Sequence, residues 1–228
     1  MNELEPVVWL IVFIISITAH EAAHALAAYL GGDPTAYQGG QVSLNPLPHM
    51  QREPFGMVLA PLISTFTLGY PIGWASTPYN PLWEERHPRR AAWMAAAGPA
   101  ANLLLALLAL IALRIGLETG AFFSPGDLDP TRLVMADANW VDGLGRFLSM
   151  MLWLNTILCL FNLVPVPPLD GASAITLFLP EQLGLRFRQA LRQPAIAMAG
   201  LFTVWFGFGT IVRPAFGMIV RLVYPHSG

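Results

Sequence analysis

The chain has no lysine, only one cysteine and few charges of either sign. All 12 basic residues are arginine, the formal net charge is −2, and charged residues make up 11% of the 228 positions. No basic field exists for nucleic acid, so that class of partner is excluded. The lone cysteine, Cys159, can form neither an intrachain disulfide nor a multi-cysteine zinc site, and its apolar surroundings mark it as a small packing residue. Internal repeats and low-complexity tracts are also lacking. What dominates is apolar surface: 55% of the residues are hydrophobic and the mean hydropathy is +0.54, the composition of an integral membrane protein.

Four stretches, 7–30, 91–113, 147–164 and 195–212, are long and apolar enough to cross a bilayer as helices. The first follows Glu3 and Glu5 rather than a basic start and is too long for the core of a cleavable signal, so it is expected to remain as a span. A fifth stretch, 55–74, has the length of a span but is interrupted by Gly56, Pro61, Gly69, Pro71 and Gly73, the pattern of a re-entrant or broken segment. A Gly/Pro-rich loop occupies 31–54. A charged loop holds Glu84, Glu85, Arg86, Arg89 and Arg90, and an acidic loop holds Asp127, Asp129, Asp137 and Asp142. Pro180 opens a predicted surface helix, EQLGLRFRQALRQ, with Arg186, Arg188 and Arg192 beside Leu183, Phe187 and Leu191. The tail beyond Arg213 and Pro214 is too short to span alone and is expected at the interface. These features predict an all-α membrane protein, a polytopic transmembrane helix bundle of four to six membrane segments with one re-entrant. A single membrane domain is expected over 1–228, with its core at 7–174 and a surface helix and last span at 180–224.

The second half of the first span reads SITAHEAAHALAAYLGG. His20 and His24 are four residues apart, so on a helix they share one face about one turn apart and can hold one metal ion between them. Glu21 lies three residues before His24 and points to the same side. This is HExxH, in which two imidazole nitrogens bind zinc and the carboxylate takes a proton from water. Two core histidines beside an incidental glutamate would be the plainer reading in a soluble helix. Inside hydrocarbon, three polar groups within five residues are costly unless a cation and a water-filled pocket offset them.

Catalytic zinc usually takes three protein ligands, so one more donor is needed from the remaining acids or from His49, His87 and His226. Most of the acids sit in polar loops. Asp170 does not: it lies in FNLVPVPPLDGASAI, a Pro-broken turn directly after the span 147–164, where irregular backbone at membrane depth is tolerated if it lines a cavity.

HEAAH followed by NLVPVPPLDG on a separate membrane segment resembles the site-2 protease family of intramembrane zinc metalloproteases. The family's N-x-x-P-x-P-x-L-D-G motif is matched by Asn162, Pro165, Pro167, Leu169, Asp170 and Gly171. A G-x-x-x-N stretch of the middle core helix is matched by Gly98 and Asn102, although small residues there also serve close helix packing. The resemblance covers roughly 16–174, and LNPLPHM and the PRR before the third helix are similar to the small subgroup without appended domains. No span precedes HExxH and no PDZ-like domain is present, so substrate filtering by such a domain is not carried over. The resemblance implies that Asp170 is the third ligand of one Zn2+ per chain, beside His20 and His24. It also implies a multi-pass protein of a bacterial or archaeal cell membrane.

Metal ligands must meet at one depth. His20 is roughly 20 Å along its helix from Val7, hence roughly 10 Å from the far face of a ~30 Å core, and Asn162 is roughly 8 Å from the far end of its own. The two helices must therefore run parallel, which holds if 91–113 crosses and 55–74 does not. Arg86, Arg89, Arg90 and the arginines at 186–192 would then be cytoplasmic, with the acidic loop and the N-terminus outside and the zinc nearer the cytoplasm.

The expected activity is that of a zinc endopeptidase cleaving a transmembrane segment of another membrane protein near the cytoplasmic face, with Glu21 as the base that activates water. Asn162 and Asn102 are expected to hydrogen-bond the substrate backbone or the developing oxyanion, and the stretch 39–46 offers an extended edge for an unwound substrate. His49 reads as a loop residue rather than a ligand. Two rivals use the same residues: a membrane-embedded HExxH protease that cuts soluble loops, with a Glu as third ligand, and a non-enzymatic zinc-binding scaffold or transporter. An acid placed as a base speaks against the transporter.

Overall fold

The computed structural model describes residues 4–191 and 193–225, so Glu3, Arg192 and His226 lie outside the described residues. Every regular element among them is helical. The first, α1 (Glu5–Leu30), starts with an acid and a proline in its first turn, both suited to a helix N-terminus, and ends at Gly31. A Cβ on Gly31 would stand 2.8 Å from the Trp83 ring, whose Nε1 donates to the Gly31 carbonyl at 3.0 Å. The helix is an interior one, with Trp9, Val12, Phe13, Ser16, Ile17, His20, Glu21 and His24 all buried.

Two short helices follow, α2 (Thr35–Gln38) and α3 (Pro46–Arg52), the latter capped by the Asn45 side chain accepting from Leu47 N–H at 3.1 Å. A π turn (Phe55–Leu59) leads into α4 (Ala60–Leu68). Together they rise about 21 Å, short of a ~30 Å hydrocarbon core. The chain then reverses at Gly69, whose φ of 87° is open to glycine, and returns through 71–80 without regular structure. Ser64 Oγ accepts from Ile72 N–H at 2.7 Å, and Trp74 N–H donates to the Gly56 carbonyl at 3.1 Å. Both ends of the 55–74 stretch therefore meet, and the segment doubles back rather than crossing. Side chains at Gly56 or Gly73 would drive into the facing backbone, which explains the glycines that interrupt this apolar run.

After α5 (Pro81–Arg86) comes α6 (Pro88–Glu118), the longest helix, packed against α1 and α7 (Asn139–Asn162). Both α6 and α7 outrun the apolar stretches 91–113 and 147–164. Pro88 opens α6 with a residue whose missing N–H costs nothing there. Asp142 extends α7 beyond its apolar part by pairing with Arg146 at 3.1 Å and Arg132 at 3.4 Å. The helices α1, α6 and α7 are each long and apolar enough to cross a membrane. Ser16 meets Asn155, and further along both chains His20 and His24 meet Asp170, so α1 and α7 run in parallel.

A short helix α8 (Gly171–Ala174) and a 3₁₀ turn (Ile175–Phe178) lead to the amphipathic α9 (Glu181–Leu191), then α10 (Pro194–Gly207) and α11 (Gly209–Val223). The last two bend by 45° at their junction and could together form a fourth span. The tail after Pro214, expected at the interface, is thus the second part of a helix that begins at Gly209. Helix α11 runs through Pro214 and buries Ala215, Ile219 and Val223, the last two in the main core with Trp9, Leu113, Leu133 and Met150. Apolar positions recurring every four residues give that tail one continuous face, and Tyr224 OH fastens its end to the Leu133 carbonyl at 2.6 Å.

Candidate metal centre

His20 and His24 project from one face of α1 with ring centroids 4.6 Å apart, and each is only 5% exposed. Their Nε2 atoms are 3.0 Å from one another and lie 3.1 Å and 3.3 Å from Oδ2 of Asp170. Among the described residues these three are the one group of His, Cys, Asp or Glu side chains placed to hold a metal ion. Asp170 is carried there by the turn after α7, which folds back because the prolines at 165, 167 and 168 deny it a helix. Gly171, the next residue, lies so close to the Leu163 and Val164 carbonyls that no Cβ would fit.

The protons of both rings are accounted for on the far side. His24 Nδ1 is 2.7 Å from the Met94 carbonyl oxygen, and His20 Nδ1 is 2.6 Å from Oδ1 of Asn102. Both Nδ1 atoms are placed to donate, which in the neutral rings leaves a lone pair on each Nε2. Asp170 Oδ2 is buried and accepts no hydrogen bond. With both rings neutral, three electron-rich atoms converge, an arrangement that a cation relieves. Separations of 3.0–3.3 Å are close to the ligand spacing of tetrahedral zinc, about 3.3 Å at bonds of ~2.0 Å, so the donor set fits that metal. Gly98 on α6 completes the cradle, since a Cβ there would fall onto Nε2 of His24 and stand 2.6 Å from Nε2 of His20.

Glu21 is 4% exposed and faces the same cavity, of about 260 Å³, whose walls include His20, His24, Thr77, Asn162 and Asp170. The Thr77 hydroxyl reaches both Glu21 Oε2 at 2.7 Å and the Glu21 carbonyl at 3.0 Å. Thr77 sits on the returning segment 71–80, which is clamped at several points. Arg52 Nε donates to the Ser76 carbonyl at 3.2 Å, Ser76 Oγ donates to Glu53, and Asn80 N–H donates to Asp33 Oδ2 at 2.7 Å. Burial raises the Asp33 carboxyl, but hydrogen bonds from the Thr35 hydroxyl and from the Asn80 and Thr35 amides outweigh it and hold the group below its ordinary value.

The structure brings His20, Glu21, His24, Asn162 and Asp170 to one cavity. Asn102 departs from its expected place at the substrate. It is fully buried, with its oxygen on His20 and its amide 2.9 Å from Asn155 Oδ1, so nothing on it faces the cavity. The stretch 39–46 departs as well. It turns at Gly40 and is held by His49 Nε2 donating to the Ser43 carbonyl at 3.0 Å, and the non-helical wall of the cavity is instead Ala75 to Thr77. His49 is buried in α3 rather than in a loop and stands apart from the His20, His24 and Asp170 cluster, and His87 lies beside the Trp83 carbonyl before α6. Sequence reasoning missed Thr77, Asn155 and Ser16. Asn155 carried a signal, a polar side chain in the middle of a span, whereas nothing local to Thr77 announces that it meets Glu21, 56 residues away.

A His–His–Asp cluster with both histidines buried and a carboxylate beside it, walled by helices of membrane-crossing length, has the donor chemistry of a membrane-embedded zinc hydrolase. The family model described as Peptidase family M50 matches residues 8–207. The chain is 34% identical over 202 residues to "Putative zinc metalloprotease YwhC" of Bacillus subtilis (strain 168), covering 86% of this chain and 80% of that protein. It is 31% identical over 171 residues to "Putative zinc metalloprotease Rip2" of Mycolicibacterium smegmatis, covering 72% of this chain and 54% of that one. No solved structure matches the chain. The chain belongs to peptidase family M50, the site-2 proteases, and is a membrane zinc metalloprotease that takes Zn2+.

Proposed function

We propose that this enzyme cleaves a transmembrane segment of another membrane protein, near the cytoplasmic face of the cell membrane, as a single multi-pass domain. The observation that carries this reading is the burial of His20, Glu21 and His24 inside α1, itself of membrane-crossing length. A substrate must come to them within the bilayer.

His20, His24 and Asp170 would hold the ion through their converging Nε2 and Oδ2 atoms. When bound, zinc supplies a Lewis acid that acidifies water and polarises a scissile carbonyl. Glu21 accepts a proton from water at Oε1, the oxygen that Thr77 leaves free, and passes it to the departing amide nitrogen. Asn162 lines the cavity with its Nδ2 on the Leu158 carbonyl at 3.0 Å, and a small rotation would let it donate to substrate instead. A helical substrate hides its peptide groups and must unwind locally. The non-helical wall at Ala75 to Thr77 presents backbone against which such an unwound stretch can lie.

The test is cleavage by the purified protein of paired peptides, one an apolar transmembrane segment in vesicles and one a soluble loop, with the cut sites found by mass spectrometry. Cuts inside the apolar segment that vanish in Glu21→Gln are expected. Cleavage confined to the soluble peptide would overturn the intramembrane reading and leave the zinc protease intact.

A further inference from the structure

A second row of polar groups stands behind His20, in the contact between α1, α6 and α7. Asn155, Asn102 and Ser16 are each 0% exposed. The amide nitrogen of Asn155 lies 2.9 Å from the Met151 carbonyl and 2.8 Å from Ser16 Oγ. Its Oδ1 lies 2.9 Å from Asn102 Nδ2, and Asn102 Oδ1 lies 2.6 Å from His20 Nδ1.

The direction of each bond in this row is set at its far end. A backbone carbonyl only accepts, so Met151 holds the amino end of Asn155. Ser16 uses its single hydroxyl proton on the Val12 carbonyl at 2.7 Å, so toward Asn155 its oxygen can only accept. The oxygen of Asn155 therefore faces Asn102, which must donate to it. That turns the oxygen of Asn102 to His20, and His20 must carry its proton on Nδ1. Its Nε2 is left with a lone pair aimed at Asp170. His24 reaches the same state directly from the Met94 carbonyl.

We propose that Asn155 is a positioning residue for the zinc ligand His20: by orienting the Asn102 amide, it holds the imidazole in the one tautomer that can bind metal. This rests on the reading of His20 as a ligand. The other bond of the Asn102 amide, to the Ser16 carbonyl, is 3.4 Å long and weak. Without Asn155, Asn102 is free to turn its amino group toward Nδ1, which moves the ring proton to Nε2 and blocks coordination there.

Zinc affinity of the full chain in detergent, measured by chelator competition, tests this without any protease assay. Asn155→Leu should weaken zinc by about 10- to 100-fold. The decisive variant adds Asn102→Asp to it. A carboxylate accepts at both oxygens, so its orientation no longer matters, and affinity should return to within about threefold of Asn102→Asp alone. A packing role for Asn155 would leave the double variant at least as weak as Asn155→Leu. His20→Gln, which should lose zinc, separates failure of the relay from failure of the site. Should Asn155→Leu not fold, nitrogen-15 NMR of histidine in zinc-stripped wild-type protein decides, with His20 expected to be protonated on Nδ1. A proton on Nε2 with none on Nδ1, unchanged zinc affinity in Asn155→Leu, or no recovery in the double variant each overturns the proposal.

Discussion

The Thr77 hydroxyl stands 2.7 Å from Oε2 of Glu21, and both residues are buried, at 9% and 4% exposure. One oxygen of the carboxylate is thereby tied and the other left to the cavity. The bond also joins two parts of the chain, the helix α1 that carries His20 and His24 and the returning segment 71–80 that walls the site.

Thr77→Val keeps the size of the side chain and removes the donor. Turnover should fall by about 10- to 100-fold, the worth of a hydrogen bond to a charged group, while zinc content stays at the wild-type level. Thr77→Ser should restore most of the rate. Equal losses in the serine and valine variants, read from initial rates, would show that the methyl group matters and the hydroxyl does not.

Glu21→Gln should retain zinc and fold while cleavage drops by about 100-fold or more, because the amide cannot take a proton from water. Metal analysis and rates on the same preparation check both halves. Turnover within about tenfold of wild type would remove Glu21 from the base role.

Asp170→Ala removes one of three converging donors and should cost the protein its zinc, expected at one ion per chain in the wild type. Full zinc occupancy in the purified variant, by elemental analysis, would require another third ligand.

The parts of this site that could be read from the sequence are those with a local rule. His20, Glu21 and His24 share a face by helical spacing alone, and Asp170 announces itself by sitting in a proline-broken turn at the end of a span. Their convergence could be anticipated from depth, since α1 and α7 had to run parallel to bring them together. Asn102 was found by its motif, but that it faces His20 rather than the cavity was not legible, because the direction of a buried amide depends on which side of α6 meets α1. Thr77 was beyond reach for a related reason: it lies in irregular chain, where side-chain direction follows from tertiary contacts. The tail after Pro214 was judged by its length alone, although its four-residue apolar repeat already pointed to a helix with a buried face.

Gly98→Ala tests the closeness of α6 to the metal centre. In a helix interior alanine is favoured over glycine by about 1 kcal/mol, so the exchange does not weaken α6 itself. The added Cβ falls onto the histidine nitrogens and should displace at least one. Zinc affinity should drop well below wild type in a protein whose circular dichroism is unchanged. Wild-type affinity would show that the bundle yields at this contact.

Topology offers the widest test. The Trp74 amide closes onto the Gly56 carbonyl at 3.1 Å, and Ser76 Oγ donates to Glu53 at 2.6 Å, so the chain enters and leaves the 55–74 excursion at neighbouring points. A segment whose ends meet cannot have them on opposite faces of a bilayer, and its helical part is in any case too short to cross. With the arginines at 86, 89 and 90 placing the following loop in the cytoplasm, both flanks of the excursion should be cytoplasmic, and the loop carrying Asp127, Asp129 and Asp137 should be external. In a Cys159→Ala background, single Ser43→Cys and Ser76→Cys variants should resist an impermeant reagent added outside intact cells, while Ser124→Cys reacts. Reaction at position 43 without reaction at 76 would mean that the segment crosses. The parallel course of α1 and α7, on which the meeting of His20 with Asp170 depends, would then have to arise by some other path of the chain.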